Sequence, residues 1–215
     1  MNESEPQPDN TAVRTALWRA LHVEADAPPH VFEDMATMGV YEIDRPTSQV
    51  WKRQRLMELG FGVPAHLHLV PVDFEAGDAW WERLCAAGFD PTRPAVVASA
   101  GVSMYLTRDA VDATLRQVAT LAPGSTLVMS FMLPMEMNEP EIRPGVERAA
   151  AGARANGTPW LSFFTPEEML ALALEAGFKR VEHVSARALA ERYFADRTDG
   201  LRPPWNSEEL LVGRT

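Results

Sequence analysis

Val40-Tyr41-Glu42-Ile43-Asp44-Arg45-Pro46 alternates apolar and acidic side chains, closes on an acid and a proline, and leads at once into the helical run Ser48 to Leu59. A period of two reads as a strand, the proline as its stop, and the following period as a helix. At the carboxyl end of a strand in an open α/β sheet, an acid faces the crevice where nucleotide-like ligands sit. A carboxylate there can accept both hydroxyl protons of a ribose. Asp44 is therefore the first candidate binding residue. It also has a purely structural reading, because Asp is favoured beside a helix N-terminus by capping and by the helix dipole.

The same alternation continues along the chain. Upstream, Thr11 to Val23 places Val13, Leu17, Ala20 and Leu21 at helical spacing and should stop before Pro28-Pro29. Downstream, Leu67 to Val72 reads as a short buried strand and Asp78 to Ala87 as a helix stopped by Gly88. Pro94 to Ala98 gives a third strand, Thr107 to Leu121 a helix, and Ser125 to Met132 a fourth strand apolar enough for a sheet covered on both faces. Arg143 to Ala155 reads as a helix. In Thr165-Pro166-Glu167-Glu168 an N-cap Thr, a first-turn Pro and a Glu three residues on spell a capping box, for a helix ending at Gly177. Lys179 to Val184, Ala186 to Phe194 and Glu209 to Gly213 complete the pattern as strand, helix and closing strand. These alternating elements predict an α/β fold with a doubly wound, mostly parallel sheet. The expected organisation is a disordered tail over residues 1–10 and a single domain over 11–215.

With 215 residues and a net charge of −10, the chain lacks the clustered positive charge that drives binding to a phosphate backbone. Nucleic acid is not an expected partner. Cys85 is alone, on a helical face, so no disulfide framework is expected and a reducing compartment fits. No apolar run is long enough for a bilayer span. Met1 to Asn10 has neither the basic nor the apolar region of a signal peptide, so a cytoplasmic location without membrane association is expected.

Three strand ends bring polar groups to one edge of the sheet: Asp44, Asp73-Phe74 and Ser99-Ala100-Gly101. An acid for a ribose and an acid-aromatic pair for an adenine are what an adenosine-bearing cofactor requires, although Asp73 alone is also an ordinary turn residue. Taken in order, Val40-Tyr-Glu-Ile-Asp-Arg-Pro, Gln49-Val-Trp-Lys-Arg, Val70-Pro-Val-Asp-Phe-Glu, Ala86-Ala-Gly-Phe-Asp-Pro, Gly101-Val-Ser-Met-Tyr-Leu-Thr and Glu175-Ala-Gly-Phe resemble the leucine-carboxyl-methyltransferase-like group of class I S-adenosylmethionine-dependent methyltransferases. Thr15-Ala-Leu-Trp-Arg-Ala and Phe32-Glu-Asp resemble that group's N-terminal cap segment. The resemblance implies a Rossmann-like fold with a helical cap and S-adenosyl-L-methionine as cofactor. It implies that Asp44 takes the ribose hydroxyls while Asp73 and Phe74 lie along the adenine. The implied reaction moves a methyl group to an oxygen, a carboxylate included, of a small-molecule or protein acceptor. Tyr105 is a candidate for the acceptor pocket, with a core aromatic as its structural reading. No side chain is singled out as catalytic.

The chain departs from that pattern in two places. Between the cap segment and the strand ending at Asp44 the family has a first strand and a glycine-rich loop; here only Met35 to Gly39 intervenes. The expectation is that the central first strand is missing and that the strand ending at Asp44 lies beside Pro94 to Ala98. Ala100 stands where many relatives carry an acid. These departures give an alternative, a shortened methyltransferase-like module that binds or associates, as a homo-oligomer, without catalysis, since exposed sheet edges favour association. Ser99 and His183 would suit an α/β serine hydrolase in order, but the elbow's first glycine is absent and His183 falls within a strand. His66 and His68 share a strand face without a third ligand nearby, so no metal is expected. Trp80-Trp81 and Phe163-Phe164 read as packing.

Overall fold

The computed structural model describes residues 39–74, 79–200 and 207–215. The helix expected over Thr11 to Val23, the cap segment and the tail lie outside them. The chain divides into two compact units, Met1–Asp90 and Pro91–Thr215.

In the first unit, β1 (Val40–Asp44) leads into α1 (Pro46–Glu58), and β2 (Leu67–Pro71) is followed by α2 (Trp80–Ala86). β1 and β2 pair in parallel with Asp44 opposite Pro71, and the ladder runs one bond further, from the Val72 N–H to the Asp44 carbonyl at 2.8 Å. Val70, Val72 and Leu84 form the core here, under Tyr41, Ile43, Phe74, Trp80, Trp81 and Phe89. Tyr41 ties the layers together. Its ring stacks on His68 across the ladder at 4.6 Å, meets Phe89 edge-on, and its hydroxyl donates to the Gly88 carbonyl at 2.9 Å, where α2 has just ended. Gly39 makes room for that ring, since a Cβ there would sit 3.2 Å from Tyr41.

The second unit holds β3 (Val96–Ser99), α3 (Arg108–Ala119), β4 (Thr126–Met132), α4 (Arg143–Ala155), α5 (Pro166–Ala176), β5 (Arg180–Val184), α6 (Ala186–Tyr193) and β6 (Glu208–Arg214). Its four strands lie in the order β3, β4, β6, β5. β3 pairs parallel to β4, whereas β6 runs antiparallel to both β4 and β5. Only β6 runs against the rest, so the sheet is mostly parallel, as expected. Leu127, Met129 and Phe131 alternate along one face of β4 and are fully buried, as are Leu211 of β6, Val111 and Leu115 of α3, and Met169 and Ala173 of α5. α5 begins with the capping box that the sequence spells: Thr165 accepts from the Glu168 N–H, and the Glu168 side chain accepts from the Thr165 N–H. It ends at Gly177 with φ at 113°, a conformation open to glycine.

One expectation is corrected. β1 does not pair with β3. Among the described residues the ladder of β1 is formed with β2 alone, and β3 pairs with β4. Parallel pairing needs a matching register and complementary faces on both strands, and β1 finds them in β2.

Gly213 of β6 faces the buried Phe178, and a Cβ there would lie 2.8 Å from the ring. Phe178 has little room to retreat. Gly213→Ala is expected to lower stability by about 1–3 kcal/mol, the usual cost of overpacking, as read by urea denaturation. An unchanged midpoint would show that the ring can step aside.

Candidate functional site

The first unit gathers Asp44, Asp73 and Phe74 at one edge. Asp44 ends β1, Asp73 and Phe74 follow β2, and the parallel register holds these strand ends level. The Asp44 carboxylate accepts the Arg45 N–H through Oδ1 at 2.7 Å, and among the described residues Oδ2 has no hydrogen bond. The Arg45 guanidinium comes within 3.9 Å of Asp73 Oδ2, so one cation lies between the two acids. The residue Asp44 is exposed, yet the protein around its carboxyl strips enough hydration to push its pKa up. The Arg45 N–H pulls it down, Glu42 adds to the rise, and Lys52 and Arg45 oppose it. Glu42 itself is ion-paired with Lys52 of α1. Phe74 is half-buried on the small core, 6.0 Å from the Trp80 ring. The structure thus brings together all three residues named for the adenosine half of a cofactor. Arg45 is the member that the sequence reading missed, although its place directly after Asp44 was a signal.

In the second unit, the carboxyl end of the sheet is shaped by Ser130. This buried serine accepts the Gly101 N–H at 2.7 Å, and its carbonyl accepts the Ser103 hydroxyl at 2.6 Å. The two bonds fix the turn after β3, with Gly101 at φ 70° and open space where a Cβ would point. A lone polar residue inside the apolar run of β4 was the visible signal. The turn leads into the short helix Ser103–Tyr105, which sets Tyr105 against Met104, Met132 and Val146, beside Trp160 and Phe163. The Trp160 Nε1 is buried there without a hydrogen-bond partner.

The other candidates fall elsewhere. Ser99 and His183 sit on the two outer strands of a four-stranded sheet. Three inter-strand steps separate them, roughly 14 Å, so they form no hydrolytic triad. His183 instead meets the buried Glu209 at 2.5 Å, with the Phe131 ring beside it. Among the described residues no group of His, Cys, Asp and Glu is placed to hold a metal, and no helix is long and apolar enough to cross a membrane. Trp80 and Trp81 pack edge to face on the small core, and Phe164 is buried under the Arg108 guanidinium.

The alternating strands and helices and the mostly parallel strand directions are those of a Rossmann-like α/β fold. A solved protein of Thermobifida fusca YX, provisionally named a methyltransferase, matches with a TM-score of 0.56 at 22% identity, over 82% of this chain and 62% of that one. A DUF574 family protein from Streptomyces avermitilis matches with a TM-score of 0.55 at 18% identity, over 95% and 83%. Residues 33–119 match the model of the leucine carboxyl methyltransferase family. YktD of Bacillus subtilis (strain 168), provisionally named an S-adenosyl-L-methionine-dependent methyltransferase, is 29% identical over 77% of this chain and 54% of its own length. A protein of Mycobacterium avium (strain 104) that bears the same provisional name is 32% identical over 69% and 52%. The chain thus spans about half the length of these relatives.

The raised pKa of Asp44 has a sign that can be tested. Ionising this group costs folding free energy; the cost is absent below the ordinary carboxylate range and grows as pH rises from the unfolded pKa to the folded one. Asp44→Asn removes it. The variant is expected to melt above wild type near neutral pH and level with it in strong acid. A difference that does not change with pH would trace the effect to packing.

Proposed function

We propose that this chain is an S-adenosyl-L-methionine-dependent methyltransferase that transfers a methyl group to an oxygen, with a carboxylate as the favoured acceptor. The observation that carries the reading is the convergence of Asp44, Asp73 and Phe74 at one strand edge, inside the residues that match the family. The free Oδ2 of Asp44 suits a ribose hydroxyl. Asp73, held near Arg45, and the half-buried face of Phe74 suit the adenine. A solved relative in fold, PigF, was determined with SAH, at a TM-score of 0.51 and 15% identity. The bound cofactor supplies an electrophilic methyl group. A carboxylate acceptor is ionised near neutral pH, so the chain needs only to orient it and exclude water. Tyr105, on its methionine and aromatic cluster, is the residue assigned to the acceptor side.

The adenosine half fits the residues present better than the amino-acid half does. No glycine-rich loop precedes β1 among the described residues, and the space at Gly39 is taken by Tyr41. This observation favours a second reading, a shortened module that binds the nucleoside portion, or associates with copies of itself, without efficient transfer.

Calorimetric titration with S-adenosylmethionine and S-adenosylhomocysteine tests the binding. Saturable binding is expected, and Asp44→Ala should weaken it by about 1–3 kcal/mol, the loss of a hydrogen bond to a charged acceptor; Asp73→Asn should cost less. Equal affinity for wild type and Asp44→Ala would leave Asp44 as a strand-end cap. Turnover of a carboxylate acceptor at about 1 per second or faster would rule out the module reading.

A further inference from the structure

We propose that the amino edge of the four-stranded sheet carries an anion site, a groove between Arg180 of β5 and Arg214 of β6 that takes a phosphate or pyrophosphate group. The two arginines are direct partners in the antiparallel register, so they face the same side of the sheet. Directly opposite side chains have Cβ atoms about 4.5–5.5 Å apart, and like charges in that position repel. The groove that they line holds about 340 Å³ and is completed by Val181, Glu182 and Val212. That volume falls at the small end of the range of ligand pockets, roughly 300–1,000 Å³.

The one acid in the groove does not neutralise the pair. Glu182 is held by Arg192 of α6, whose Nη2 lies 2.8 Å from Glu182 Oε1, and this ion pair keeps the Glu182 carboxyl below its usual pKa, with Arg214 assisting. Among the described residues the Arg180 side chain makes no hydrogen bond or ion pair, and the Arg214 side chain has only the longer-range attraction of Glu182. Two arginines on the same side of adjacent strands therefore line an open groove with only a distant acid against one of them, in a chain whose net charge is −10. An oxyanion bridging both would convert the repulsion into two sets of charge-assisted hydrogen bonds, and the planar fork of Arg matches phosphate oxygens in pairs. Arg180 begins its strand and Arg214 ends an antiparallel one, so the groove sits at the opposite end of the sheet from Gly101, Ser130 and Tyr105. It is a separate site, and its failure would leave the proposed function untouched.

The test is calorimetric titration of the full chain at low ionic strength with inorganic phosphate, pyrophosphate and a simple alkyl phosphate. Saturable binding of pyrophosphate is expected. The double variant Arg180→Gln with Arg214→Gln should weaken it at least tenfold while melting at or above the wild-type temperature in the absence of anion, because the repulsion has gone. Arg214→Lys, which keeps the charge and loses the fork, should also weaken it, and Asp44→Ala should not. Preference for the alkyl phosphate over inorganic phosphate would assign the site to an organic ligand; the reverse preference would assign it to the free anion. Absence of saturable binding, or equal affinity in the wild type and the Gln variants, overturns the proposal.

Discussion

Every backbone N–H and C=O along a strand must find a partner or water, and among the described residues that requirement is met by two ladders, one in each unit. The first is the β1–β2 pair; the second is built on β4, which carries β3 on one side and β6 on the other. The positions that chemistry would use follow from this arrangement. Asp44 and Asp73 come level because β1 and β2 are parallel and in register. The turn at Gly101 is held because β3 lies alongside Ser130. A short parallel pair is a lean support for a binding edge, so Tyr41 matters beyond its own contacts: it ties strand, facing strand and the end of α2 with one side chain.

The strand ends of the first unit hold a carboxylate oxygen without a hydrogen bond, a second acid held near a cation, and an aromatic face. Each of these needs only the end of a strand and the residue or two after it. A backbone cradle for an amino-acid group needs a tight glycine turn between a strand and a helix, and the residues before β1 that are described supply a glycine already committed to an aromatic neighbour.

Much of this was legible residue by residue. The strand at Val40 to Asp44, the helix after Pro46 and the capping box at Thr165 are written in local terms, in periods of two and 3.6 and in cap chemistry, and such signals survive whatever the tertiary partners are. Asp44, Asp73 and Phe74 were visible for the same reason, as strand-end residues. The absence of pairing between β1 and β3 was not visible, because which strand a strand pairs with is decided by faces and register, and the local pattern of β1 is the same in either case. The reversed direction of β6 was hidden likewise, since alternation in Glu208 to Arg214 fixes a strand and leaves its direction open. The His183–Glu209 contact depends on that direction: Glu209 is the diagonal neighbour of His183, two residues along β6 from its partner Leu211.

The central place of β6 has a consequence for the order of assembly. It is the last described strand in the chain, yet both β4 and β5 take their ladder bonds from it. Until Glu208 to Arg214 has been synthesised, the second sheet has no means of joining β5 to β4, and both present bare backbone edges. The pairing of β1 with β2 needs no such distant segment, because only α1 and a short loop separate them. Closing the long loop between β4 and β6 carries the larger entropic cost. On the ribosome, the β1–β2 pair is therefore in a position to form early, while the sheet of the second unit waits for its final strand, and over that interval the open edges of β4 and β5 are exposed to wrong pairing.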